Sequence, residues 1–268
     1  MSSPCSHAAF AHAAIHDTIV KERSFQKKDL AHLNVESKMI LTSMNPMKTL
    51  FQVAITACAV SSTLAQTWTQ TSAPSTNWNS VAASADGVHL VAAVGDLFSP
   101  YIYGPIYTST NFGVTWEQQT NAPIKDWRKV ACSADGSRLL AVAGNVHPPV
   151  PILPGIYTSA DGGVTWKSNS VASSDYSGGA ISANGSNLIV VQPFTYSTNA
   201  GDTWSTGVAP GRVLWLAASA DVTKIVGGGT TGPLYMSQDF GVNWTNALEA
   251  GAWPSFASSA DGNTGVCR

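Results

Sequence analysis

Two short motifs alternate along this chain and stay in step from about residue 80 to its end, and no other feature restricts the possible fold so tightly. The first has the form S-x-D/N-x-G-x-T/N-W. It starts at Ser109, Ser159, Ser197 and Ser237 and ends at Trp116, Trp166, Trp204 and Trp244, with serine spacings of 50, 38 and 40. The second is Ser84-Ala85-Asp86-Gly87, repeated from Ser133 and Ser259, and as Ser182-Ala183-Asn184-Gly185 and Ser219-Ala220-Asp221-Val222, with spacings of 49, 49, 37 and 40. Self-similarity at such a period marks a repeat architecture in which each unit must stack on its neighbours to bury a core.

The chemistry of both motifs is that of tight turns. An Asp or Asn side chain accepts bonds from nearby backbone N–H groups, and the following Gly takes positive φ without steric cost. Between the turns lie apolar, β-prone runs such as Val88-His89-Leu90-Val91-Ala92-Ala93, Leu139-Leu140-Ala141-Val142 and Leu188-Ile189-Val190-Val191. One unit therefore reads as four strands. A short one (Ser80 to Ala83) leads through S-A-D-G to a second, a loop leads to a third (Ile106-Tyr107-Thr108), and the longer motif leads to a fourth ending in Trp116. Four antiparallel strands per repeat is the blade of a β-propeller, an all-β fold. The abundance of Gly (23 residues) and the low charged fraction (11%) suit short strands and close turns.

The longer motif resembles the Asp-box, or BNR, repeat of sialidases, sortilin-type receptors, xyloglucan-cleaving glycosidases and the photosystem II assembly factor family. The resemblance covers about residues 66–268. It implies that each box is a structural turn between a blade's third and fourth strands, remote from the ligand face. Asp161, Asp239 and the four box tryptophans are then scaffold.

Domain organisation follows from a segment outside the repeats. Met47-Lys48 precedes an apolar run, Thr49 to Val60, and a small-residue end at Ala65. This is the plan of a secretory signal peptide, 47–65, and it directs the mature chain to a secreted or periplasmic location. The run is too short for a span of about 20 residues, so no transmembrane span is expected. A lipoprotein reading around Cys58 ranks lower because the apolar stretch before it is so short. Residues 1–46 carry no repeat and are expected to be an N-terminal extension upstream of the true start at Met47 or Met44. At the other end, Pro254 to Arg268 supplies a first strand, a turn and part of a second. Thr67-Trp68-Thr69 matches a fourth strand alone. Four blades plus a partial blade, an incomplete propeller, are therefore expected over residues 66–268. Beyond the leader only Cys132 and Cys267 remain, at near-equivalent points three units apart, so no disulfide is suggested.

Net charge is −2 with the 14 basic residues scattered, so nucleic acid is not an expected partner. No metal-ligand cluster, phosphate loop or nucleophile motif occurs, and neither metal nor cofactor is expected. If both turn types share one face, the opposite face is built from the other two sets of loops. Counting six residues back from each S-A-D-G serine gives Trp78, Trp127, Tyr176, Val213 and Trp253. Such rings either stack on a sugar or an apolar partner, or plug the gaps between blades. The first two units also carry longer loops, 94–105 and 144–155. Function tends to sit on long loops held by a rigid scaffold. Asp96, Tyr101, Tyr103 and His147 are candidate ligand contacts, with Asp126 and Asp175 beside the aromatic positions. The alternative is that these are ordinary Pro-stiffened surface loops.

Sialidase activity is disfavoured. After the leader the chain has only Arg128, Arg138, Arg212 and Arg268 and only Glu117 and Glu249, and it lacks an Arg-Ile-Pro segment. A two-carboxylate glycoside hydrolase is the alternative function, with Asp96 and Asp126 a conceivable pair that nothing positions. No catalytic residue is assigned. The favoured reading is a non-catalytic binding or assembly module for a carbohydrate or protein ligand.

Overall fold

Each repeat closes into one small antiparallel sheet. The computed structural model of the chain describes residues 70–95, 102–144, 154–169, 176–249 and 251–267, and these residues contain strands and turns but no helix. The signal segment, residues 1–46 and Thr67-Trp68-Thr69 lie outside the described residues. Blade 1 consists of β1 (Trp78–Ala83), β2 (Leu90–Gly95), β3 (Tyr103–Ser109) and β4 (Glu117–Gln118). Blade 2 holds β5 (Trp127–Cys132), β6 (Leu139–Ala143), β7 (Gly155–Ser159) and β8 (Lys167–Asn169). Blade 3 holds β9 (Gly178–Ile181), β10 (Leu188–Val191), β11 (Thr195–Ser197) and β12 (Ser205–Thr206). Blade 4 holds β13 (Trp215–Ala218), β14 (Ile225–Gly228), β15 (Leu234–Ser237) and β16 (Thr245–Leu248). A fifth sheet pairs only β17 (Phe256–Ser258) with β18 (Gly265–Cys267).

Strand order within every four-stranded sheet is sequential, so each blade is a meander. The first strands stand side by side from blade to blade, β1 next to β5, β5 next to β9, β9 next to β13 and β13 next to β17. The described sheets do not close on one another, and the array is four blades and a two-stranded fifth sheet.

Hydrophobic alternation explains why the second strands read as unbroken apolar runs. Leu139, Ala141 and Ala143 of β6 pack with Val91, Ala93 and Ile106 of blade 1. Leu140 and Val142 of the same strand face Tyr176, Leu188 and Val190, which belong to blade 3 and its approach. Ile189 and Val191 in turn meet Val213, Ile225 and Tyr235 of blade 4. A strand covered on both faces loses the polar half of its alternation. Fully burying one such Leu or Val is worth about 1.5–3 kcal/mol.

The two motifs form turns that brace each other. In S-A-D-G, the Ser84 hydroxyl donates to Asp86 Oδ1 at 2.6 Å, which also accepts from Val88 N, while Ser84 Oγ accepts from His89 N at 2.9 Å. The same set recurs at Ser133, Ser182, Ser219 and Ser259. The alanines then link the blades. Ala85 N donates to Ala134 O, Ala134 N to Ala183 O, Ala183 N to Ala220 O and Ala220 N to Ala260 O, at 2.6–2.8 Å. Val222 occupies the glycine position at φ +66° and is buried against blade 4.

In the longer motif, Ser159 Oγ donates to Asp161 Oδ1 and accepts from Gly163 N, and Asp161 Oδ1 accepts from Thr165 N. Its fifth residue is Gly for two reasons. Gly241 sits at φ +80°, and a Cβ there would lie 2.1 Å from Cζ of Phe194 in the preceding blade. Phe112 N donates to Val88 O, Gly162 N to Ser137 O, Ala200 N to Ser186 O and Phe240 N to Thr223 O. Each longer turn is thereby tied to the S-A-D-G hairpin of its own blade, so both turn types share one face.

The fourth strand differs from the sequence reading. It does not end at the motif's Trp but begins directly after it, at Glu117, Lys167, Ser205 and Thr245. In three of the four blades the indole is the reason, whereas Trp116 Nε1 in blade 1 is buried with no hydrogen-bond partner among the described residues. Trp166, Trp204 and Trp244 donate Nε1–H back to the carbonyls of Gly163, Gly201 and Gly241 at 2.8–3.1 Å, which folds the Trp into the turn.

Candidate binding face and axial cavity

The face opposite the turns carries the starts of the first strands. Asp96, Tyr101, His147 and Asp175 lie outside the described residues. Tyr103 opens β3 opposite Gly95 and is half-buried.

The aromatic positions serve the seams between blades. Trp127 is 0% exposed, donates Nε1–H to Gly104 O of blade 1 at 3.0 Å, and meets the Tyr157 ring edge-on at 5.3 Å. Tyr176 is 0% exposed among Leu140, Val142 and Ile156 of blade 2. Neither ring has surface to offer a ligand. Trp253 is half-buried and donates Nε1–H to Gly232 O of blade 4 at 3.1 Å. Trp78 differs, at 37% exposed, because no earlier blade covers it among the described residues, and it leans on Tyr107 and Trp116.

Asp126 is 0% exposed and forms an ion pair with Arg128 at 2.6 Å, itself only 9% exposed. The pair stands at the entry of β5. Gly144 gives the guanidinium room, for a Cβ there would overlap Arg128 Nε.

The turn carboxylates are held as anions. Hydrogen bonds from Ser133 and Ser137 bring Asp135 down to about 2, those from Ser219 and Thr223 do the same for Asp221, and those from Ser259 and Asn263 for Asp261. Bonds from Ser84 and Val88 lower Asp86, and bonds from Asn243 lower Asp239. Burial raises Asp161, but bonds from Thr165 and Ser159 outweigh it. Cys132 is half-buried, and burial pushes its thiol up to about 11, helped by Asp135.

The inner strands of blades 1 to 4 surround a cavity of about 150 Å³ lined by Asn79, Ser80, Arg128, Lys129, Ser177 and Trp215, among others. Two of these groups also join the blades. Asn79 Nδ2 donates to Trp127 O at 2.7 Å, and Ser80 Oγ accepts from Val130 N at 3.0 Å. The sequence reading missed this cluster, although its signal was present. Asn79, Arg128 and Ser177 lie five residues before the S-A-D-G serines, and Ser80, Lys129 and Trp215 lie four before.

No family model and no curated protein sequence matches the chain. Among solved structures it is similar to the GH74 enzyme of Niastella koreensis, with TM-score 0.55 and 21% identity over 70% of this chain. An ancestral GH74 enzyme gives TM-score 0.53 and 16% identity, also over 70%. TolB of Acinetobacter baumannii gives 0.46 and 18% over 68% of this chain and 46% of its own. The fold is a β-propeller. The chain spans only 26% of the length of either GH74 chain, and at these identities the likeness concerns the fold alone.

Proposed function

We propose that this chain is an Asp-box propeller, exported by the segment 47–65, that acts as a non-catalytic binding or assembly module for a glycan or protein ligand. One observation carries the reading, namely the employment of the described aspartates. Asp86, Asp135, Asp161, Asp221, Asp239 and Asp261 accept the hydrogen bonds that close turns, on the face away from the loops. Asp126 is sealed against Arg128. A glycoside hydrolase needs one carboxylic acid of raised pKa facing a second carboxylate across the scissile bond. The turn carboxylates are shifted the other way. Asp202 is an exposed partner of Lys167 within a turn.

The test is an array of neutral and acidic glycans on which binding and hydrolysis are read from the same purified full chain. Retention without cleavage is expected. Turnover of a bound glycan, abolished by Asp126→Asn or Asp175→Asn in a variant that still folds, would replace the module with an enzyme.

A further inference from the structure

The cavity between the inner strands holds an unbalanced positive charge. Arg128 is neutralised by Asp126, but among the described residues no carboxylate and no hydrogen-bond acceptor meets the ammonium of Lys129. Burial lowers the pKa of that ammonium. A cation taken partly out of water without a counter-ion is costly, and an anion at the same place removes the cost. The other lining groups are suited to hydroxyls and to a ring. The Ser177 hydroxyl is buried without a hydrogen-bond partner among the described residues, and the Asn79 amide and Ser80 hydroxyl keep further bonding capacity. Trp215 is half-buried, and among the described residues its ring meets no other aromatic ring and its indole N–H meets no acceptor. A volume of about 150 Å³ admits one small ligand rather than a length of polymer.

We propose that this axial cavity binds the carboxylate of an acidic sugar, a uronic acid, with Lys129 as its counter-ion, Ser177 and Asn79 toward its hydroxyls and Trp215 against its ring. The proposal rests on the binding-module reading and names its ligand class. Calorimetric titration of the full chain with glucuronate, glucose and inorganic phosphate tests it, on the parent, on Lys129→Met and on Lys167→Met as an exposed control. Saturable glucuronate binding is expected, with glucose far weaker. Lys129→Met should weaken glucuronate about tenfold or more, the scale of one charge-assisted contact, and Lys167→Met should not.

A second readout needs no variant. Glucuronate should protect Lys129 of the native chain from acetylation by acetic anhydride, measured by mass spectrometry, while Lys167 reacts as before. Absence of saturable glucuronate binding, binding unchanged in Lys129→Met, or no protection of Lys129 would overturn the proposal. Phosphate or glucose bound as well as glucuronate would overturn its sugar-acid selectivity. A chain that retains neutral glycans on the array yet ignores glucuronate refutes the acidic-sugar site and leaves the binding-module reading intact.

Discussion

Replacing Trp127 by Ala separates a seam residue from a ligand contact. The side chain is 0% exposed, spans blades 1 and 2, and makes both a hydrogen bond to Gly104 O and an edge contact with Tyr157. A buried Trp→Ala change costs about 3–5 kcal/mol through lost transfer energy and the cavity left behind. For a domain of this size each kcal/mol lowers Tm by about 2–4 °C, so a fall of about 6–20 °C is expected. Trp127→Phe keeps most of the volume. It loses one hydrogen bond, worth about 1 kcal/mol, while Gly104 O still accepts from Lys125 N at 3.3 Å. Trp78→Ala, at the same register but 37% exposed, should cost less than half as much as Trp127→Ala. Far-UV circular dichroism during thermal and urea unfolding measures all three. If Trp127→Ala melts within about 2 °C of the parent, or costs no more than Trp78→Ala, the inter-blade wedge is the wrong account of this position.

The buried ion pair predicts that Asp126→Asn destabilises the chain by about 3–5 kcal/mol, because Arg128 is left buried without its counter-charge, and urea titration reads the loss. Ser133→Ala removes a donor to Asp135 and an acceptor for Arg138 N, and should cost about 1–2 kcal/mol together with faster amide exchange at Ala134 on the inter-blade belt. Gly241→Ala should be far worse than Gly232→Ala in a melting assay. Both positions have positive φ, but only at Gly241 would the new Cβ meet a ring, whereas at Gly232 no atom lies within 4 Å. Asp135, Asp221 and Asp261 stand at about 2 in the folded chain, below their unfolded value of about 3.9. A lowered folded pKa contributes stability that is complete above the unfolded value and lost as pH falls through the folded one. Tm should therefore drop between pH 4 and pH 2, and Ser133→Ala should lessen that drop.

Much of the fold was legible because the turn chemistry is local. Ser84, Asp86 and Gly87 satisfy one another within a few residues, so the motif alone marks a hairpin wherever it occurs. Their regular recurrence sufficed for the number of blades and the shared face of the turns. The end of the longer motif misled because the Trp166 indole turns back onto Gly163 O, a bond that no strand propensity reveals.

The candidate site was less legible, since burial and pairing are properties of neighbouring blades. The sequence places an aromatic ring six residues before most S-A-D-G serines. Only the stacking of blade 2 on blade 1 decides that Trp127 is sealed and Trp78 is open. The sequence likewise places Arg128 next to Lys129 without distinguishing them. Tertiary structure gives one of them Asp126 and leaves the other facing a cavity shared by four blades, because only the curvature of the array brings Asn79, Ser177 and Trp215 round to the same space.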